Sequence, residues 1–234
     1  MTFAKQTVLV TGAAGNLGRA VAQAFFERGA NLVLLDRRRE DLTQAYQSAS
    51  ERRLLAAANL LDQAEVDAAV ASAIERFARI DVLCNVAGGF RMGAPVHETP
   101  DEVWQSLLDL NARSVLTTAR AVVPRMLAAG SGKIVNVAAM AALAGKAHMS
   151  AYSASKSATI RLTESMASEL RDRGINVNCV LPSIIDTPQN RAAMPEADPR
   201  RWVAPAALAE VIVFLASDAA RAIHGAAIPV VGLS

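Results

Sequence analysis

The stretch Thr7-Val8-Leu9-Val10-Thr11-Gly12-Ala13-Ala14-Gly15-Asn16-Leu17-Gly18-Arg19-Ala20 decides the fold class. Its first five residues are each apolar or β-branched, which reads as a strand. A glycine-rich turn follows, and then Leu17, Ala20, Val21, Ala24 and Phe25 recur at helical spacing. In a strand–turn–helix unit, glycines let backbone N–H groups approach a phosphate, and the helix N-terminus adds positive potential. A tight turn without a ligand is the plainer reading, but the context is the one that phosphate binding demands.

Outward from this unit, short apolar runs alternate with helical stretches. Strands are expected at 7–11, 31–36, 54–60, 81–86, 133–138, 175–181 and 226–231, with helices at 17–28 and 151–173 among the segments between them. Alternation of this kind predicts an α/β fold, a doubly wound parallel sheet of about seven strands with helices on both faces. Ligands then sit beyond the carboxyl ends of the strands. The 234 residues suit a single domain, 1–234. The Pro-rich stretch 182–204 is the longest irregular one and reads as a substrate lid.

Composition narrows the function. A net charge of +2 supplies no basic footprint for nucleic acid. No apolar run is long enough to span a membrane, and the N-terminus carries no leader-like segment, so a cytoplasmic protein is expected. Cys84 and Cys179 lie in separate strand-like runs and read as buried, reduced thiols. His97, His148 and His224 lack metal-ligand spacing, so no metal is expected. The methionines Met92, Met126, Met140, Met149 and Met194 read as gap-fillers.

Two sets of residues carry chemistry. Asp36 closes the second strand, where a carboxylate accepts hydrogen bonds from ribose hydroxyls and repels a 2′-phosphate; an N-cap role suits it equally. Arg37, Arg38 and Arg39 follow, readable as a 2′-phosphate partner or as a solvated helix start. Tyr152 and Lys156 stand four apart on a helix and share a face. An ammonium beside a phenol favours the phenolate, which makes the pair a sensible proton donor to a carbonyl.

Taken together, Thr11 to Gly18, Asp36, Asn85-Val86-Ala87-Gly88, Asn111, Tyr152-Ser153-Ala154-Ser155-Lys156 and Pro182 to Thr187 resemble, in order and spacing, the short-chain dehydrogenase/reductase family over essentially the whole chain. The resemblance implies a Rossmann-like fold, a nicotinamide cofactor and hydride transfer to or from a small molecule. It gives Tyr152 the role of catalytic acid/base. Lys156 becomes the residue that binds the nicotinamide ribose and lowers the Tyr152 pKa, and Asn111 a holder of water in the proton relay. It places Thr11, Gly12, Gly15, Asn16, Leu17 and Gly18 at the pyrophosphate, and Asp36 and Arg37 at the adenosine ribose. Asn59 and Leu60 fall at the adenine edge, Asn85, Ala87 and Gly88 along adenosine and ribose, and Pro182, Ile185 and Thr187 at the carboxamide. Asp36 favours NAD over NADP. Family helices like the one carrying Tyr152 pack between subunits, implying a homodimer or homotetramer.

The chain also departs from the family pattern. Asn16 stands at the middle glycine of the turn, where tolerance of left-handed backbone is expected to preserve it. Ser183 takes a position that is commonly glycine. Ala139 occupies the place of the catalytic serine, 13 residues before Tyr152. Three readings stay open: a catalytically inactive nucleotide-binding regulator, a donor borrowed from Ser150, Ser153 or His148, or a substrate that needs no serine. An ordinary ketone or 3-oxoacyl-type reductase with a weakened site is a further rival. Alanine beside an intact Tyr-x-x-x-Lys resembles the dihydropteridine reductases within the family. So do Val86 to Phe90 and the lid block Leu181-Pro182, Asp186 to Pro188, Asn190-Arg191, Met194 to Asp198 and Trp202. That likeness implies a quinonoid dihydropteridine substrate, with Phe90 and Trp202 either flanking a flat ring or simply covering the lid.

Overall fold

The computed structural model describes residues 1–234. Seven strands form one parallel sheet: β1 (Thr7–Thr11), β2 (Asn31–Asp36), β3 (Arg53–Ala57), β4 (Val82–Asn85), β5 (Gly132–Val137), β6 (Ile175–Pro182) and β7 (Ala227–Val230), ordered β3-β2-β1-β4-β5-β6-β7. The order reverses direction between β1 and β4, which opens a crevice at their carboxyl ends.

Successive strand residues feed opposite cores, as a sheet buried on both faces requires. Val8, Val10, Leu32, Leu34, Val82 and Cys84 pack under α1 (Asn16–Glu27) and, later in the chain, α8 (Pro205–Leu215). Leu9, Val33, Leu35, Leu83 and Ile134 pack on the other face against α3 (Gln63–Phe77) and α5 (Ser114–Ala129). The remaining helices are α2 (Arg39–Tyr46), α4 (Asp101–Leu108), α6 (Ser150–Leu170) and α7 (Pro188–Ala193). The fold is the expected Rossmann-like one. Both cysteines are buried and unpaired, and no helix is long and apolar enough to cross a membrane.

A polar thread crosses this apolar interior. Thr118 Oγ1 donates to Asn85 Oδ1 at 2.8 Å, and Asn85 Nδ2 to Asn136 Oδ1 at 2.8 Å. Asn136 Nδ2 donates to Thr163 Oγ1 at 2.9 Å, and that hydroxyl donates to the Thr159 carbonyl at 2.8 Å. The thread locks α5, β4, β5 and α6 in one register, since breaking any link strands a buried polar group.

Most element ends lie within a residue of expectation, and two larger differences bear on the site. β3 stops at Ala57 rather than residue 60. The Ala58 N–H still reaches the Asp36 carbonyl, but the Asn59 N–H turns to Glu65 Oε2 at 2.7 Å, so the chain leaves the sheet to start α3. The stretch 182–204, expected to be an irregular lid, is not irregular throughout. β6 runs through Pro182, and Thr187 caps α7 by accepting from Asn190 N at 3.1 Å, with Pro188 pre-set at the first helical position.

Candidate active site

A cleft of about 1390 Å³ opens beyond the strand ends. Its floor is the turn after β1. Gly12 has φ +62°, and a Cβ there would lie 2.8 Å from the Ala87 Cα. A Cβ on Gly18 would overlap the Gly12 carbonyl oxygen. Both glycines are therefore required by backbone approach. Thr11 Oγ1 accepts from the Val86 and Ala87 N–H groups at 3.1 Å each, and the Tyr46 hydroxyl donates to the Ala13 carbonyl at 2.7 Å. The first turn of α1 has neither an acidic residue nor a capping side chain. Its N–H groups and positive end are free for an anion, so the turn fits a pyrophosphate.

Asn16 shows no left-handed backbone: it is the first residue of α1, so the tolerance expected of it is not used. Its side chain works instead. Nδ2 donates to Gln189 Oε1 on α7 at 2.8 Å, and Oδ1 accepts from Arg19 at 3.2 Å. Asp36 also lines the cleft, its two oxygens accepting from the Ala14 and Arg37 N–H groups at 2.8 Å each. Each oxygen keeps a lone pair for a ribose hydroxyl. Of the three arginines, Arg38 is held by Asp41 through contacts of 2.9 and 2.6 Å, and none lines the cleft.

Tyr152, Lys156 and Ala139 line the same cleft. Lys156 is only 5% exposed, and its Nζ donates to the Val137 carbonyl at 2.8 Å. Burial lowers its pKa to about 8. Burial also pushes Tyr152 up to about 12, opposite to the lowering expected from its lysine neighbour. The penalty for a buried phenolate outweighs an ammonium that is itself turned to a carbonyl. Phe90 packs edge-on against Tyr152, ring centroids 4.9 Å apart at 88°.

Asn111 stands one layer behind the cleft, in a π-helical turn over Asp109–Arg113, a distortion that favours functional positions. Its Oδ1 accepts from Gly89 N at 2.9 Å, and its Nδ2 donates to the Gly89 carbonyl and Ser155 Oγ at 3.0 Å each. A Cβ on Gly88 would come within 2.8 Å of Asn111 Oδ1 and 2.9 Å of Lys156 Nζ. Glycine at 88 is what brings β4, Asn111 and Lys156 together.

Of the expected cofactor residues, Gly12, Gly15, Asn16, Leu17, Gly18, Asp36, Ala87, Gly88, Pro182, Ile185 and Thr187 line the cleft. Thr11 and Asn85 are buried struts behind it. Arg37 is exposed outside it. Asn59 and Leu60 do not reach it: the Asn59 side chain closes on Leu61 N at 3.1 Å, and Leu60 packs toward the sheet core. Trp202 is not a cleft residue either. It is buried in a segment pinned by bonds from Val203 N to the Ile184 carbonyl and from Asp186 N to the Val203 carbonyl, while Phe90 does line the cleft. No borrowed donor reaches the cleft from Ser150, Ser153 or His148. Sequence reading missed Tyr46, Gln189 and Lys146; none belongs to a spaced motif, and only the fold brings them in.

Comparison with known proteins agrees with this geometry. A profile of the family described as short chain dehydrogenase matches residues 6–198. The chain is 35% identical to the 2-(R)-hydroxypropyl-CoM dehydrogenase of Xanthobacter autotrophicus, over 95% of this chain and 96% of that one. It is 36% identical to the cis-4-hydroxycyclohexanecarboxylate dehydrogenase of Sinomonas cyclohexanicum, over 98% and 96%. Among solved structures, an NAD+-bound xylitol dehydrogenase superposes with a TM-score of 0.91 at 30% identity, covering 99% of this chain and 100% of that one. With its glycine turn, its Tyr152–Lys156 pair and these relatives, the chain belongs to the short chain dehydrogenase family.

Proposed function

We propose that the chain catalyses NAD-linked hydride transfer between an alcohol and its carbonyl, with Tyr152 as the group that gives and takes the proton. The observation that carries this reading is the juxtaposition of Tyr152 and Lys156 with the Gly12–Gly18 cradle in one cleft. When bound, a nicotinamide dinucleotide supplies or accepts the hydride. Asp36 receives the adenosine ribose hydroxyls and disfavours a 2′-phosphate, which makes NAD the cofactor. Relatives solved with NAD support that choice.

Tyr152 is protonated at neutral pH and donates to the oxygen of a carbonyl being reduced. Lys156 holds the nicotinamide ribose, and its positive charge steadies the phenolate left behind. Asn111 fixes the loop of Gly88 and Gly89, and the spare lone pair of its carbonyl, beside the bond from Thr159 Oγ1 at 2.9 Å, suits a relay water. Ala139 contributes no hydrogen bond, so Tyr152 polarises the substrate oxygen alone.

A second reading, reduction of a quinonoid dihydropteridine, is favoured by Ala139 and by the Phe90 ring beside Tyr152. Such an electron-poor ring accepts hydride with less polarisation. Trp202 lends it no support, being outside the cleft. The exposed Trp104, on α4 that packs against α6, and Leu116, on α5, suit a homodimer or homotetramer.

The test follows NADH and NADPH oxidation with a ketone panel and with quinonoid dihydropterin. Turnover of a ketone with NADH is expected. NADH binding with no turnover of any compound would instead favour a nucleotide-binding regulator.

A further inference from the structure

The charges lining the cleft are sorted by end. Asp36, Asp41 and Arg19 sit where the adenosine would lie, Asp41 already engaged by Arg38. Past β5 the only charged side chains lining the cleft are those of Lys156, committed to the reaction, and Lys146. Lys146 is exposed, and no carboxylate lies within salt-bridge distance of it.

Its loop is held in place. The 3-10 turn Met140–Ala142 starts it, and His148, at φ +63°, ends it. The Gly93 N–H donates to the His148 carbonyl at 2.8 Å, tying it to the loop of Phe90 and Arg91. Arg91 and His148 line a small adjoining pocket that shares Met149 with the cleft. Across residues 86–100 and 138–150 the sole acid is Glu98, which contacts His97 at 3.3 Å. The apolar lining that accompanies Tyr152 and Lys146 in the cleft includes Phe90, Met140, Met149 and Met194.

We propose that this end of the cleft reads an anionic group on the substrate, with Lys146 as the specificity-determining residue. The substrate class is an alcohol or ketone with an apolar body and a terminal carboxylate or similar anion. The proposal rests on the hydride-transfer reading. An apolar wall with one unpaired cation at its far end suits such a molecule and leaves a neutral polyol underused, because specificity comes from a few placed polar groups in an apolar pocket.

The test separates binding from turnover. Calorimetric titration of the NAD+-loaded protein with 4-oxopentanoate, 5-oxohexanoate, 6-oxoheptanoate and their methyl esters forms complexes that cannot react, since both partners are oxidised. At least one acid is expected to bind about tenfold tighter than its ester. The advantage is expected to vanish in Lys146→Ala and to invert in Lys146→Glu. Esters binding as tightly as acids, an acid advantage that survives Lys146→Ala, or no binding of any acid overturns the proposal. Lys146-dependent acid binding without NADH oxidation by any of the compounds leaves anion recognition standing and counts against the hydride-transfer reading.

Discussion

The Asn16 amide donates to Gln189 Oε1 across 2.8 Å, joining the first turn of α1 to α7 in the segment proposed as a lid. A glycine at position 16 has no side chain to make this bond. Asn16→Gly and Gln189→Ala are expected to speed NADH release by about two- to fivefold, the range of one solvent-exposed hydrogen bond. Stopped-flow NADH fluorescence measures it. Unchanged release in both variants would mean that the bond does not hold the lid.

Ala139 has extended backbone and lines the cleft, at the position where the family pattern has a serine. Ala139→Ser is expected to raise kcat/KM for ketones by about tenfold or more, because it adds a donor to the developing oxyanion. Quinonoid dihydropterin is expected to gain less. Equal gains would count against the pterin reading, and a loss with ketones against the placement of residue 139.

Asp36→Ala removes the cleft-lining carboxylate that is proposed to receive the ribose. The NADPH-to-NADH ratio of kcat/KM is expected to rise about tenfold as like-charge repulsion disappears. Steady-state kinetics with both cofactors decide it, and an unchanged ratio would take Asp36 out of the ribose site.

Lys156 titrates at about 8 in the folded chain, below an ordinary lysine. Between those values the unfolded chain holds more protons, so stability rises with pH across that window. Lys156→Met is expected to flatten the rise and to be more stable at pH 7 by a few kcal/mol. Urea midpoints at pH 7 and pH 9.5 test this; an undiminished rise in the variant would assign it elsewhere. Reduction is expected to weaken above pH 8 in the wild type, where Lys156 loses its charge while Tyr152 stays protonated.

The sheet was legible because parallel strands buried on both faces are continuous apolar runs: β1 and β2 fall on the expected residues. The end of β3 was not, because a polar turn at Asn59 interrupts a run that still looks apolar. Local motifs found the turn, Asp36, Tyr152 and Lys156. Three things were hidden: the burial that raises Tyr152, the withdrawal of Trp202 from the cleft, and the tie from Asn16 to Gln189. Each depends on residues tens of positions away, which no local pattern encodes.

In the proposed reaction Tyr152 moves the proton. Tyr152→Phe keeps the ring against Phe90 and removes only the hydroxyl. With a ketone that the wild type reduces, the variant is expected to lose about 10²- to 10⁴-fold in kcat, with NADH affinity unchanged. Wild-type turnover by Tyr152→Phe would contradict the account.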